Sequence, residues 1–185
     1  NMKNSVTLNE SLSIPKILEN FVKEDKNPYS EIKKILLNNK IQYIVTIARG
    51  SSDSAAMFGS YLFAKFLGLP TYSLPPSIIT LENSKFDFSQ ALVIVISQSG
   101  LSKDLLYCEK KCRIMGAKTI VLSNNLNSPF TKQSNYFLFL NSGKELGVAA
   151  TKTFVSTLLC IIKLVANISN NKKLINKIYD LPEIV

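Results

Sequence analysis

Apolar positions along the chain switch between two periods. Residues 11–23 place Ile14, Ile17, Leu18, Phe21 and Val22 on one side of a helix, and residues 29–37 repeat that spacing until Asn38 and Asn39. A turn over 25–28 separates the two. Residues 41–48 read as a strand. Residues 54–66 read as an amphipathic helix whose Met57, Phe58, Tyr61, Leu62 and Phe66 are expected to face the core, with Gly68 placed to cap it. A short strand over 71–74 is closed by Pro75 and Pro76, and Ser77 suits the cap of a helix over 77–81. The run Ala91-Leu92-Val93-Ile94-Val95-Ile96 is continuously apolar, the signature of a strand buried on both faces of a parallel sheet. A helix over 103–115, a strand over 118–122, a helical turn from Ser128 and Pro129 and a strand over 136–140 follow. A long helix over 152–167 and a last one over 174–181 complete the pattern.

This alternation predicts an α/β fold: a five-stranded parallel sheet with helices on both faces, in the flavodoxin-like order 2-1-3-4-5. In that order the switch point lies between the first and third strands. The loops there are Arg49-Gly50-Ser51-Ser52-Asp53 and Ser97-Gln98-Ser99-Gly100, two hydroxyl- and glycine-bearing turns that each lead into a helix. Backbone N–H groups at helix starts and side-chain hydroxyls together suit a phosphate or another small anion. Simpler roles compete at each position. Asp53 is expected to cap its helix, and Ser102 to cap the next one while keeping a ligand role. Arg49 is expected to anchor its loop or pair with a carboxylate. Gly147 supplies a backbone position, Glu82 a solvated charge, and Lys152 either an anion partner or a structural contact.

At 185 residues the chain is expected to form one domain, with a core over about 29–168, N-terminal helices over 11–37 and a C-terminal helix over 174–181. Asn1 before Met2 reads as an expression remnant, with Met2 the native start. No signal-peptide order is visible. The most apolar stretch, 154–168, carries Lys163 and is short for a bilayer of roughly 30 Å, so it reads as a buried helix. Cys108, Cys112 and Cys160 show no disulfide spacing, which suits a reducing cytoplasm. Without histidine or a nearby acidic cluster, Cys108 and Cys112 read as small core residues, and no metal or cofactor is expected. The formal charge of +9 comes from scattered lysines with arginine only at 49 and 113. That pattern argues against nucleic acid and membrane partners, while the positive field favours phosphorylated metabolites.

These residues carry a resemblance. The chain resembles a sugar isomerase (SIS) domain, in particular the first of the two such domains in the isomerase half of glucosamine-6-phosphate synthase and in related isomerases and deaminases. The likeness rests on Ser13-Ile14-Pro15, Ala48 through Asp53, Pro76-Ser77, Ile96 through Gly100, Glu145 through Phe154, and Leu181-Pro182-Glu183. It implies that Ser97, Gln98, Ser99 and Ser102 hold the phosphate of a hexose phosphate. It implies further that Ser52 contacts the sugar and that Val148, Ala149 and Ala150 lie beside the sugar chain. Ser102 stands where the synthase has threonine, and Ala150 where it has serine. The second domain of the two-domain relatives is expected to be absent, and with it most of the glutamate, lysine and histidine used for isomerisation.

Glu145 is the candidate base, on the expectation that burial raises its pKa into a useful range. Two classes of function follow: half of an amino-sugar-phosphate isomerase or deaminase, or a non-catalytic sugar-phosphate sensor. A homodimer or a partner SIS domain is expected, because 154–168 is apolar over more than one face.

Overall fold

The computed structural model describes residues 5–38, 40–147 and 150–184. Five parallel strands form one sheet: β1 (Tyr43–Ile47), β2 (Thr71–Ser73), β3 (Ala91–Ile96), β4 (Lys118–Ser123) and β5 (Tyr136–Phe139). Their spatial order is β2-β1-β3-β4-β5, as expected. The central pairing is in register from Tyr43 against Ala91 to Ile47 against Val95, so β1 and β3 end level with one another. The loops that follow them therefore open at the same edge of the sheet.

Alternation along the strands divides the core in two. Ile44, Leu92, Ile94, Ile96, Ile120, Leu122 and Leu138 face one helical layer, formed by α2 (Ile14–Glu24), α3 (Tyr29–Asn38), α4 (Ser51–Leu62), α8 (Lys152–Ile168) and α9 (Lys172–Ile184). Val45, Ile47, Val93, Val95 and Val121 face the other layer, formed by α5 (Pro76–Thr80), α6 (Lys103–Ile114) and α7 (Phe130–Gln133). β3 is buried at every position, as a central strand covered on both sides must be. Cys108 and Cys112 belong to the second core, where burial pushes their thiols up to about 11 and about 12. Cys160 is fully buried in the first. Among the described residues no helix is long and apolar enough to cross a membrane.

Two elements depart from the pattern expected of the sequence. The first helix is two: α1 (Val6–Leu12), then α2. Ser13 ends α1 by donating its Oγ to the Glu10 carbonyl at 2.6 Å, and Pro15, which has no N–H to pair, sits in the first turn of α2. The register of α4 also differs. Met57, Phe58 and Tyr61 are exposed, and the buried face is Ala55, Ala56 and Gly59. A Cβ at Gly59 would lie 3.1 Å from Phe63 Cε2 and 3.3 Å from Ile161 Cγ2. Close approach of α4 to α8 thus selects the small residues and leaves the large ones outside. A π-helical turn, Phe63–Leu67, extends α4, and Gly68 caps it in the left-handed conformation (φ +67°).

Buried charge ties the N-terminal helices to this frame. Lys163 on α8 pairs with Asp25 at 2.6 Å, its ammonium lying over the rings of Phe21 and Tyr29. Asn27 donates to and accepts from the backbone of Phe139 (3.1 and 2.7 Å), giving β5 a side-chain partner on its outer edge.

Candidate functional site

The turn after β3 is shaped by what lies beneath it. The Ser97 carbonyl accepts from Gly100 N, and the Gln98 carbonyl from Asn124 N and Ser123 Oγ. The Ser99 carbonyl accepts from Asn125 Nδ2 at 2.9 Å and the Gly100 carbonyl from Ser128 Oγ at 2.6 Å. Gly100 has φ +65°, and a Cβ there would meet Ser128 Cβ at 2.6 Å and Ser123 Oγ at 2.7 Å, so only glycine fits. With four consecutive carbonyls engaged, and the N–H groups of Ser97, Gly100 and Leu101 also bonded, the turn is left with its hydroxyls and the N–H groups of Gln98 and Ser99 to offer. That is the chemistry of an anion site.

The hydroxyls agree with this. Ser97 is 4% exposed, and its Oγ has no hydrogen-bond partner among the described residues. Ser102 occupies the cap position of α6, yet its side chain makes no capping hydrogen bond, so the expected capping role is absent and its hydroxyl is uncommitted. Both line a pocket of about 180 Å³ together with Arg49, Ser52, Gln98 and Ser99. Arg49 pairs with Asp104 in the first turn of α6, as the loop-anchoring reading requires.

Across the switch point the second turn contributes differently than expected. Gly50, at φ +57°, is the cap residue of α4; Asp53 lies inside the first turn and accepts from Ser73 Oγ at 3.3 Å. Placing glycine at the cap lets Ser51 and Ser52 begin the helix, and Ser52 reaches the crevice. Ser52 and Gln98 line both the inner pocket and an outer one of about 260 Å³, so the two adjoin. The outer pocket adds Ser51, Glu145, Gly147, Ala150, Thr153, Phe154 and Thr157. Thus Ser52, Ser97, Gln98, Ser99, Ser102, Glu145 and Ala150 are brought together. Val148 and Ala149 lie outside the described residues.

Glu145 is held as a carboxylate by its neighbours. Burial pushes its carboxyl up, but hydrogen bonds from Thr153 Oγ1, Thr151 N, Thr153 N and Thr151 Oγ1 outweigh that and hold it below the usual glutamate range. The expectation of a raised pKa is therefore reversed, because four donors stabilise the anion. Lys152 is structural: it donates to the Lys144 carbonyl at 2.6 Å and lies 3.7 Å from Glu10 Oε1. Glu82 is exposed, as expected. Sequence reasoning missed Glu10, Thr151 and Thr153; the two threonines flank Lys152 and could have been read as donors to the nearby acid, whereas Glu10 carries no local signal.

These features define a doubly wound α/β domain with a hydroxyl-lined crevice at its switch point. Residues 36–166 match the SIS domain, and the chain belongs to that family. It is 37% identical over 127 residues to the glutamine–fructose-6-phosphate aminotransferase (isomerizing) of Methanothermobacter thermautotrophicus, covering 69% of this chain and 21% of that one. It is 32% identical over 162 residues to the enzyme of the same description from Methanococcus maripaludis, covering 85% of this chain and 25% of that one. The chain therefore spans about a quarter or less of the length of these relatives. Among solved structures, a Silicibacter pomeroyi protein provisionally described as a phosphosugar isomerase superposes with a TM-score of 0.91 at 29% identity. That match covers 97% of this chain and 55% of the other.

Proposed function

We propose that the crevice binds a phosphorylated hexose or amino hexose, with its phosphate in the inner pocket. Ser97, Ser99 and Ser102 donate hydroxyls to the phosphate, Gln98 closes over it, Ser52 contacts the sugar at the junction, and Gly147 and Ala150 lie beside the sugar chain. The observation that carries this reading is the buried, uncommitted Ser97 hydroxyl in a pocket whose turn has its carbonyls engaged. An anion with several acceptor oxygens satisfies such a donor set. The names of the relatives, which specify fructose 6-phosphate and phosphosugar, give the same substrate class.

Two settings for such binding differ in chemistry. In one, the domain is the phosphate-holding half of an amino-sugar-phosphate isomerase or deaminase, completed by a second SIS domain or a second copy. Its span of 55% of the Silicibacter chain supports a companion domain of comparable size, and the exposed Met57, Phe58 and Tyr61 on α4 give that companion an apolar face. In the other, the domain is a sensor that binds without turnover. The state of Glu145 favours binding over catalysis by this crevice alone, since the carboxylate of its candidate base is already committed to Thr151 and Thr153. The unpaired, buried thiols fit a cytoplasmic setting for either.

Incubation with fructose 6-phosphate and with glucosamine 6-phosphate in heavy water, followed by proton NMR, separates the readings. Sugar resonances that shift without loss of the C1 proton signal of fructose 6-phosphate or the C2 proton signal of glucosamine 6-phosphate identify a binding domain. Exchange at either carbon that disappears in Glu145→Gln restores Glu145 as the base. Absence of any shift with either sugar refutes the phosphosugar site.

A further inference from the structure

α1 buries one side chain, and that side chain is a carboxylate. Its apolar residues Val6, Leu8 and Leu12 are 52%, 45% and 66% exposed, so hydrophobic burial does not explain why the helix docks. Glu10, at 6% exposure, does. Its Oε1 accepts from Leu146 N at 2.5 Å and its Oε2 from Gly147 N at 3.1 Å. Lys152 supplies the balancing charge and simultaneously holds the Lys144 carbonyl. The segment that carries Glu145 is thus gripped from outside by Glu10, while Glu145 grips Thr151 and Thr153 from within.

We propose that Glu10 is a positioning residue for the crevice and that α1 is the strap presenting it. Two consecutive backbone amides and an ammonium converge on one point. Only a group with two acceptor oxygens and a negative charge satisfies all three; a glutamine at this position would turn one donor against another. Fixing Leu146 and Gly147 fixes the Glu145–Gly147 wall of the outer pocket, although Glu10 is not among the residues lining it. Ligand affinity then depends on a side chain that never meets the ligand. The ligand part of this inference rests on the phosphosugar reading above; the clamp itself does not.

The test measures both on 15N-labelled protein: amide hydrogen exchange residue by residue, and the Kd for fructose 6-phosphate. In Glu10→Gln, exchange at Leu146 and Gly147 is expected to accelerate at least about tenfold, and Kd to rise at least about tenfold. The amides of β3 should keep their protection, which separates positioning from general loss of stability. Glu10→Asp, which keeps the charge and both oxygens, should recover part of both effects. Unchanged exchange at Leu146 and Gly147 overturns the clamp. Accelerated exchange with unchanged Kd overturns the positioning role. If wild-type protein binds neither fructose 6-phosphate nor glucosamine 6-phosphate, the phosphosugar reading falls, and exchange alone decides the clamp.

Discussion

Replacing Ser97 by alanine should make the protein more stable and a worse binder. A buried hydroxyl without a partner costs about 1–3 kcal/mol, and nothing among the described residues offsets that cost for Ser97. Alanine removes the oxygen and leaves the Ser97 N–H bonded to the Leu122 carbonyl, so the strand end is untouched. Allowing for the small void, the net gain is about 1 kcal/mol, which raises the Tm of a domain this size by about 2–4 °C. A hydrogen bond to a phosphate oxygen is worth about 1.5–3 kcal/mol, so Kd for fructose 6-phosphate should rise about ten- to 150-fold. Ser128→Ala is the control. Its Oγ donates to the Gly100 carbonyl and accepts from Phe130 N, so its loss should cost about 1–3 kcal/mol and lower Tm. Differential scanning calorimetry and isothermal titration calorimetry on the two variants read both quantities. A Ser97→Ala protein that melts lower with an unchanged Kd refutes the reasoning, because the hydroxyl then serves the fold and not a ligand.

Gly100→Ala combines a left-handed backbone with a Cβ driven into Ser128 and Ser123; it should cost more than about 2 kcal/mol by urea denaturation and abolish the turn's NMR signature. Lys163→Met alone should cost about 3–5 kcal/mol by leaving Asp25 buried and charged. The double variant Asp25→Asn with Lys163→Met should fall short of the sum of the two singles by at least about 1 kcal/mol, and strict additivity would show that the pair is not coupled. Glu145 titrates below its ordinary value of 4.5 in the folded protein, so its contribution is full above that pH and disappears as pH falls through the depressed folded value. The stability gap between wild type and Glu145→Gln should therefore be widest near neutral pH and narrow progressively as pH falls below 4.5; a gap independent of pH would show that the carboxylate is not held as an anion.

Sheet order was legible because it depends on long-range bookkeeping that leaves a clear trace: an apolar run for each buried strand, turn residues between, and a handedness rule that prunes the alternatives. Side-chain facing in α4 was not legible from hydrophobicity. A scale of apolarity puts Met57, Phe58 and Tyr61 inside, but α4 meets α8 where Gly59 lies against Ile161, and that close approach decides which residues can be buried. The same limit appears in the site. The residue types of the inner pocket were readable, since its hydroxyls and glycine follow directly on a buried strand. The protonation chemistry of Glu145 was not, because it depends on donors six and eight residues away that the chain brings back only by folding the loop onto α8. Glu10 is the extreme case, acting on amides more than 130 residues distant. Chemistry carried by residue type within one turn survives reading in one dimension; chemistry created by convergence does not. In this crevice the hydroxyl-lined pocket is of the first kind and the wall beside it of the second, so the proposed binding is where the sequence speaks most directly, and any chemistry beyond it depends on the part it conceals.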